Sequence, residues 1–130
     1  MDLEHFASEI YRLLDKATGN AHYETNTDTK VIYPYLTYTY TRERLSTNSD
    51  GFYIDIDVFD LSESIKGVIE IENELMGKLD RLQYKTDKAL FLFDFNNSSD
   101  IRTNDENLKR RTIQFYVKVW WVKPNAIQRQ

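Results

Sequence analysis

The chain has no cysteine. That excludes a disulfide framework, a thiolate metal site and a cysteine nucleophile, and it fits a reducing compartment. Glycine and proline are scarce, with 4 and 2 in 130 residues, and no glycine falls in a phosphate-binding loop pattern. No nucleophile elbow, metalloprotease helix or deaminase signature is present. No apolar run approaches the length of a membrane-spanning helix, and the opening Met1-Asp2-Leu3-Glu4-His5 does not read as a signal peptide. Positive charge is also short: the formal net charge is −4, a poor balance for gripping nucleic acid by its phosphates. A channel through which DNA slides without sticking is compatible with it.

Aromatic residues are abundant. They make up 14% of the chain and lean toward tyrosine, with 9 Tyr against 7 Phe and 2 Trp. Aromatic and β-branched side chains favour half-buried pleated surfaces, so a substantial sheet is expected. Tyrosine is also enriched at interfaces, where one end of the ring stays wet. The length fits one domain, here 1–130, large enough to bury a core without staples.

Residues 2–17 place Leu3, Phe6, Ala7, Ile10, Leu14 and Ala17 on one face of a helix, with Gly19 and Asn20 as the stop. Residues 20–29 are polar and aperiodic and read as a mobile loop. A first strand is expected from Lys30 to Arg44, with Pro34 marking an edge or bulge. Leu45–Asp50 followed by Gly51 supplies turn chemistry, so an antiparallel hairpin follows. The next strand alternates: Phe52, Ile54, Ile56 and Val58 face the core, while Tyr53, Asp55, Asp57 and Phe59 face away. Ser62 and Glu63 mark a helix entry. Ile65, Val68, Ile69, Leu75, Met76 and Leu79 then form a helical stripe, with Glu72 on it. Ala89–Phe95 is a dense apolar strand. Arg110–Val122 is the last strand, with Ile113, Phe115, Val117, Val119 and Trp121 on one face and Tyr116, Lys118 and Trp120 on the other. Residues 96–109, with Asn-Asn-Ser-Ser-Asp, read as a long mobile loop, and Pro124 ends the last strand before a frayed tail. The expected architecture is an α+β two-layer sandwich in the order α-β-β-α-β-β, a four-stranded sheet with two helices on one face.

The uncovered face of such a sheet carries Tyr53, Asp55, Asp57, Tyr116, Lys118 and Trp120, a cluster of aromatics and charges of the kind that marks an interface; an ordinary solvated face is the plainer reading. Asp55, Asp57 and Asp60 invite a metal, but no further oxygen ligands are specified, so a solvated or ion-paired face is favoured. The same carboxylates lack a partner for acid–base catalysis. His5 and His22 read as surface histidines. Arg42, Glu43 and Arg44 end the first strand, and Lys109, Arg110 and Arg111 open the last, so both clusters are expected beside loops at the same end of the sheet. Three readings are open for them: plain solvated charge, inter-subunit pairing with Asp55, Asp57, Asp100 and Asp105 as the complement, and nucleic-acid contact, which the few basic residues and the acidic loops near them disfavour.

The Pro-Tyr-Leu-Thr-Tyr run at 34–38, the alternating strand Tyr53–Asp60, Ser62 opening a long helix, and Arg110-Arg111 opening an aromatic-rich last strand together resemble the tail-terminator (tail-completion, head–tail joining) proteins of long-tailed bacteriophages. The resemblance spans the N-terminal helix to the last strand and rests on order, length and texture; residues 96–109 depart from it. It implies no enzyme and no cofactor. It implies a hexameric ring that caps the tail tube, ends its polymerisation and offers the docking surface for the head connector or stopper protein, with DNA passing through the lumen. It places the protein at the head–tail junction of the virion, in the host cytoplasm during assembly, and away from membranes. Two complementary surfaces per subunit are then required, and loops 20–29 and 96–109 are the natural docking segments. Competing functions are another neck component (head-closure or head–tail adaptor), a small α+β enzyme or nucleic-acid-processing factor, and a regulatory module.

Overall fold

The computed structural model describes residues 2–122; Pro124 and the tail lie outside them. Helix α1 (Leu3–Thr18) is capped at its start by the Asp2 carboxylate, which accepts the His5 N–H at 2.9 Å. It stops at Gly19, whose φ of 68° is the left-handed conformation glycine tolerates. Phe6, Ile10 and Leu14 are its buried face. Short β1 (Ala21–Tyr23) follows, then the hairpin of β2 (Tyr35–Ser46) and β3 (Ser49–Leu61), then α2 (Lys66–Leu79), short β4 (Gln83–Lys85), and the hairpin of β5 (Ala89–Ile101) and β6 (Leu108–Trp121).

The strands form one six-stranded sheet in the order β1-β2-β3-β6-β5-β4, curled into a half-barrel. Only β1 and β2 run parallel. The four-stranded sandwich expected from the sequence is therefore corrected: among the described residues there are six strands, and the order is α-β-β-β-α-β-β-β. The two added strands are three residues long, too short to show a period-2 pattern. Local backbone bonds hold them in place. Leu36 N–H donates to Asn20 at 3.1 Å and Glu24 N–H to Tyr38 at 2.9 Å at one edge, and Phe93 N–H donates to Leu82 at 2.9 Å at the other.

Both helices pack on one face of the sheet. Phe6 of α1 stacks on Phe52 of β3 with centroids 3.7 Å apart and planes 14° apart, and Val68, Ile71, Leu75 and Leu79 of α2 join the same core. The alternation expected in β3 is present, with Phe52, Ile54, Ile56 and Val58 all buried. Other boundaries moved. Tyr35 opens β2, so Pro34 precedes the strand instead of lying in it. The first hairpin turns within Ser46–Ser49. Helix α2 begins at Lys66 because the Ser62 and Ser64 hydroxyls accept the N–H groups of Ser64 and Lys66, each at 3.1 Å; these local bonds hold turns where a helix cap was expected. The expected loop 20–29 contains β1, and the expected loop 96–109 is largely strand, leaving 102–107 as the turn. Among the described residues no helix is long and apolar enough to cross a membrane.

Candidate interaction surface

The face of the sheet opposite the helices is laid out in rows by the strand register. One row is Thr41, Tyr53, Tyr116 and Asp94; the next is Thr39, Asp55, Gln114 and Asn97; a third is Thr37, Asp57, Thr112 and Ser99. Tyr53 and Trp120 are 37% and 41% exposed, so this face sets large rings against solvent, as interaction surfaces do. Tyr53 and Tyr116 lie 4.7 Å apart. The Tyr116 ring crosses over Gly51, where a Cβ would overlap its hydroxyl, and that hydroxyl donates to Glu43 at 2.8 Å. Burial first, and then the bond to Glu43, push the Tyr116 phenol up to about 12.

The charges on this face are mostly paired within the chain. Asp55 accepts from Gln114 at 2.8 Å. Arg110 bridges to Asp57 at 3.3 Å and lies over the Phe59 ring at 5.4 Å. Lys118 and Asp94 are exposed and have no ion-pair partner among the described residues. Asp55 and Asp57 are held by an amide and a guanidinium, and among the described residues no three acidic or histidine side chains converge.

Seven of the residues singled out in the sequence thus share the open face: Tyr53, Asp55, Asp57, Arg110, Tyr116, Lys118 and Trp120. The other five do not join them. Arg42 and Arg44 project on the helix-bearing side, since Arg42 lies opposite Phe52 and Arg44 opposite Asp50. Arg111 lies opposite Val58 and Asp100, on that same side. It reaches Glu72 of α2 at 2.7 Å and Asp100 at 2.8 Å, and the bond to Glu72 is the main reason its guanidinium stays charged even more firmly than usual. Asp105 is in the β5–β6 turn, lining a shallow groove with Ile65, Arg102 and Lys109. The expectation that both arginine clusters border one end of the sheet is corrected. The antiparallel register puts Arg44 beside Val119 by way of Asp50, and Arg110 beside Phe59, at opposite ends.

Two features escaped sequence reasoning. Asp50 is 3% exposed, accepting the Trp121 indole N–H at 2.7 Å and pairing with Arg42 at 3.2 Å; no sequence signal joins Asp50 to Trp121. Four tyrosines, Tyr11, Tyr23, Tyr38 and Tyr40, gather where α1 and β1 meet β2: the Tyr23 ring is 5.4 Å from both Tyr38 and Tyr40. Burial, then the neighbouring phenols, raise Tyr38 to about 12.

No family model matches the chain, and no curated protein matches it. Among solved structures it is similar to a chain of the "Virion of native gene transfer agent (GTA) particle". The TM-score is 0.67 with 12% identity over 85% of this chain and 91% of that one. At that identity the likeness shows a shared fold, which is that of a virion component.

Proposed function

We propose that the chain is a structural protein of a phage-type virion. The observation that carries this is the shared fold with a chain of a gene transfer agent virion, which takes in nearly all of both chains. The aromatic, charged and uncovered sheet face supports it, because a building block of a particle needs surfaces for neighbours. Within that class we assign it the tail-terminator role that the sequence resembles. It forms a hexameric ring on the last ring of tail-tube protein, stops tube growth, and presents the docking surface for the head connector at the head–tail junction. Its work is binding, with no chemical step. The acidic balance of the chain keeps passing DNA from adhering to a lumen that the ring encloses.

The test is incubation of the protein with polymerising tail-tube protein of the same genome, scored by electron microscopy. Tubes capped at one end by this protein are expected. Tubes that grow unchecked with no protein at their ends reject the terminator role. A second reading, another neck component, draws on the same fold likeness, because the similar chain belongs to a virion and a shared fold does not fix a position within one. Binding to the head connector without binding to tube protein would favour it.

A further inference from the structure

The sheet has two uncovered edges, and their backbone polarity can be read from the bonds at each. On β2, Leu36 N–H and Tyr38 C=O both bond toward β1. Alternation then turns the N–H and C=O of Tyr40, Arg42 and Arg44 to the same side. Strand β1 pairs no further than Tyr38, so among the described residues these three present an unpaired ladder. On β5, Phe93 bonds outward to Arg81 and Leu82. The bulge between Phe95 and Asn97 shifts the phase by one, so that Ser98 and Asp100 face outward there. Strand β4 pairs only with residues 90–92. Two open edges therefore lie on opposite sides and toward opposite ends of one sheet.

We propose that these edges pair with each other between copies of this chain, β2 of one subunit adding antiparallel to β5 of the next. This deepens the ring of the proposed function by assigning its subunit contact. Three observations converge on a second copy as the occupant. First, the edge-facing residues on both strands also carry their side chains on the helix-bearing side: Arg42 lies opposite core Phe52, and Ser98 opposite core Ile113. Hydrogen-bonded pairing of the two edges thus continues the same face from subunit to subunit, and a one-residue slip would invert it. Second, the charges select the heterologous pair. Joining two β2 edges would set Arg42 and Arg44 against each other, which like charges oppose. Joining β2 to β5 sets Arg42, paired within its own chain with Asp50, opposite Asp100, paired within its own chain with Arg111, and Arg44 opposite Ser98, so that no like charges meet. Third, exposed Tyr11 and Tyr23 flank the start of the β2 edge, the residue type that interfaces favour. A contact between two different edges repeats head to tail and forms a ring when its rotation closes, and edges at opposite ends supply the stagger that a closed, tilted sheet requires.

The absence of native cysteine makes the test clean. The double variant Arg44→Cys/Ser98→Cys places two thiols in a hydrogen-bonded pair, where Cα atoms are about 5.5 Å apart, within disulfide reach. Within one subunit β3 and β6 separate the two strands, so only neighbouring copies cross-link. Oxidation is expected to give a ladder ending in a closed species, while each single variant gives at most a dimer. Independently, Arg44→Pro removes one edge-facing N–H without touching the β3 ladder, a change edge strands tolerate; it is expected to keep the fold by circular dichroism and lose the oligomer by light scattering. Oligomers that do not cross-link beyond the single variants overturn the proposal, and so does a chain that stays monomeric at every concentration. A cross-linked ring that fails to cap tubes retains this contact and removes the terminator role instead.

Discussion

Asp50 is the residue whose removal tests most about how this sheet holds its end. It is almost fully buried, and it binds two groups of unequal need. The Trp121 indole N–H, on a residue only 8% exposed, has no other partner among the described residues. The Arg42 side chain is 37% exposed and can turn to water. In Asp50→Ala the indole N–H is orphaned, which costs about 1–3 kcal/mol. Release of Arg42 adds about 0–1 kcal/mol, because a partly exposed pair contributes little. The sum is about 1–4 kcal/mol, read from urea unfolding as a lower midpoint at constant slope. Asp50→Asn keeps an acceptor for the indole and is expected to cost about half as much. Trp121→Phe removes the donor, so the double variant Asp50→Ala/Trp121→Phe should recover about 1 kcal/mol relative to the sum of the single changes. An Asp50→Ala cost under about 0.5 kcal/mol, or strict additivity in the cycle, would refute the claim that the buried carboxylate anchors the β3 and β6 ends through the indole.

Gly51→Ala should drive the Tyr116 ring off Glu43, costing about 1–3 kcal/mol by overpacking and lowering the Tyr116 phenol from about 12; phenolate absorbance against pH, variant beside parent, reads the shift. Tyr38 and Tyr116 have folded pKa values raised above the ordinary 10, so their contribution to stability is complete below pH 10 and is lost as pH rises through about 12. Urea midpoints measured from pH 9 to pH 12 should fall, and a flat profile would contradict the sign. Arg111→Met strands the Glu72 carboxylate, itself only 17% exposed, and should cost about 1–3 kcal/mol, with Glu72→Gln costing less; equal stability of Arg111→Met and the parent would show that α2 docks without this pair.

How much of this was legible in the sequence depends on which force places each element. Where side-chain burial decides, the pattern was readable. Strand β3 is paired on both sides and covered on one face, so Phe52, Ile54, Ile56 and Val58 alternate with polar residues along it. In α1, Phe6, Ile10 and Leu14 repeat at helical spacing for the same reason. Where backbone bonds decide, the pattern was silent. Strands β1 and β4 are short edges whose side chains carry no period. The open face was legible as a composition of aromatics and acids. Its electrostatics were not, because adjacent Arg110 and Arg111 read as one basic pair and yet point to opposite faces, one to Asp57 and one to Glu72.

The segment Asn96–Ile101 makes the sharpest case. Asparagine, serine and aspartate are poor strand formers, and in isolation this stretch favours a loop. It is a strand because β6 offers it a ladder, Ser98 opposite Ile113 and Asp100 opposite Arg111. An element held by one neighbour, with an unpaired outer edge and hardly any apolar burial of its own, is stabilised by anything that pairs with that edge. The same composition that hid the strand from the sequence therefore argues that it is a contact surface. A strand built from such residues gains most when a second backbone, such as β2 of a neighbouring copy, completes its hydrogen bonds.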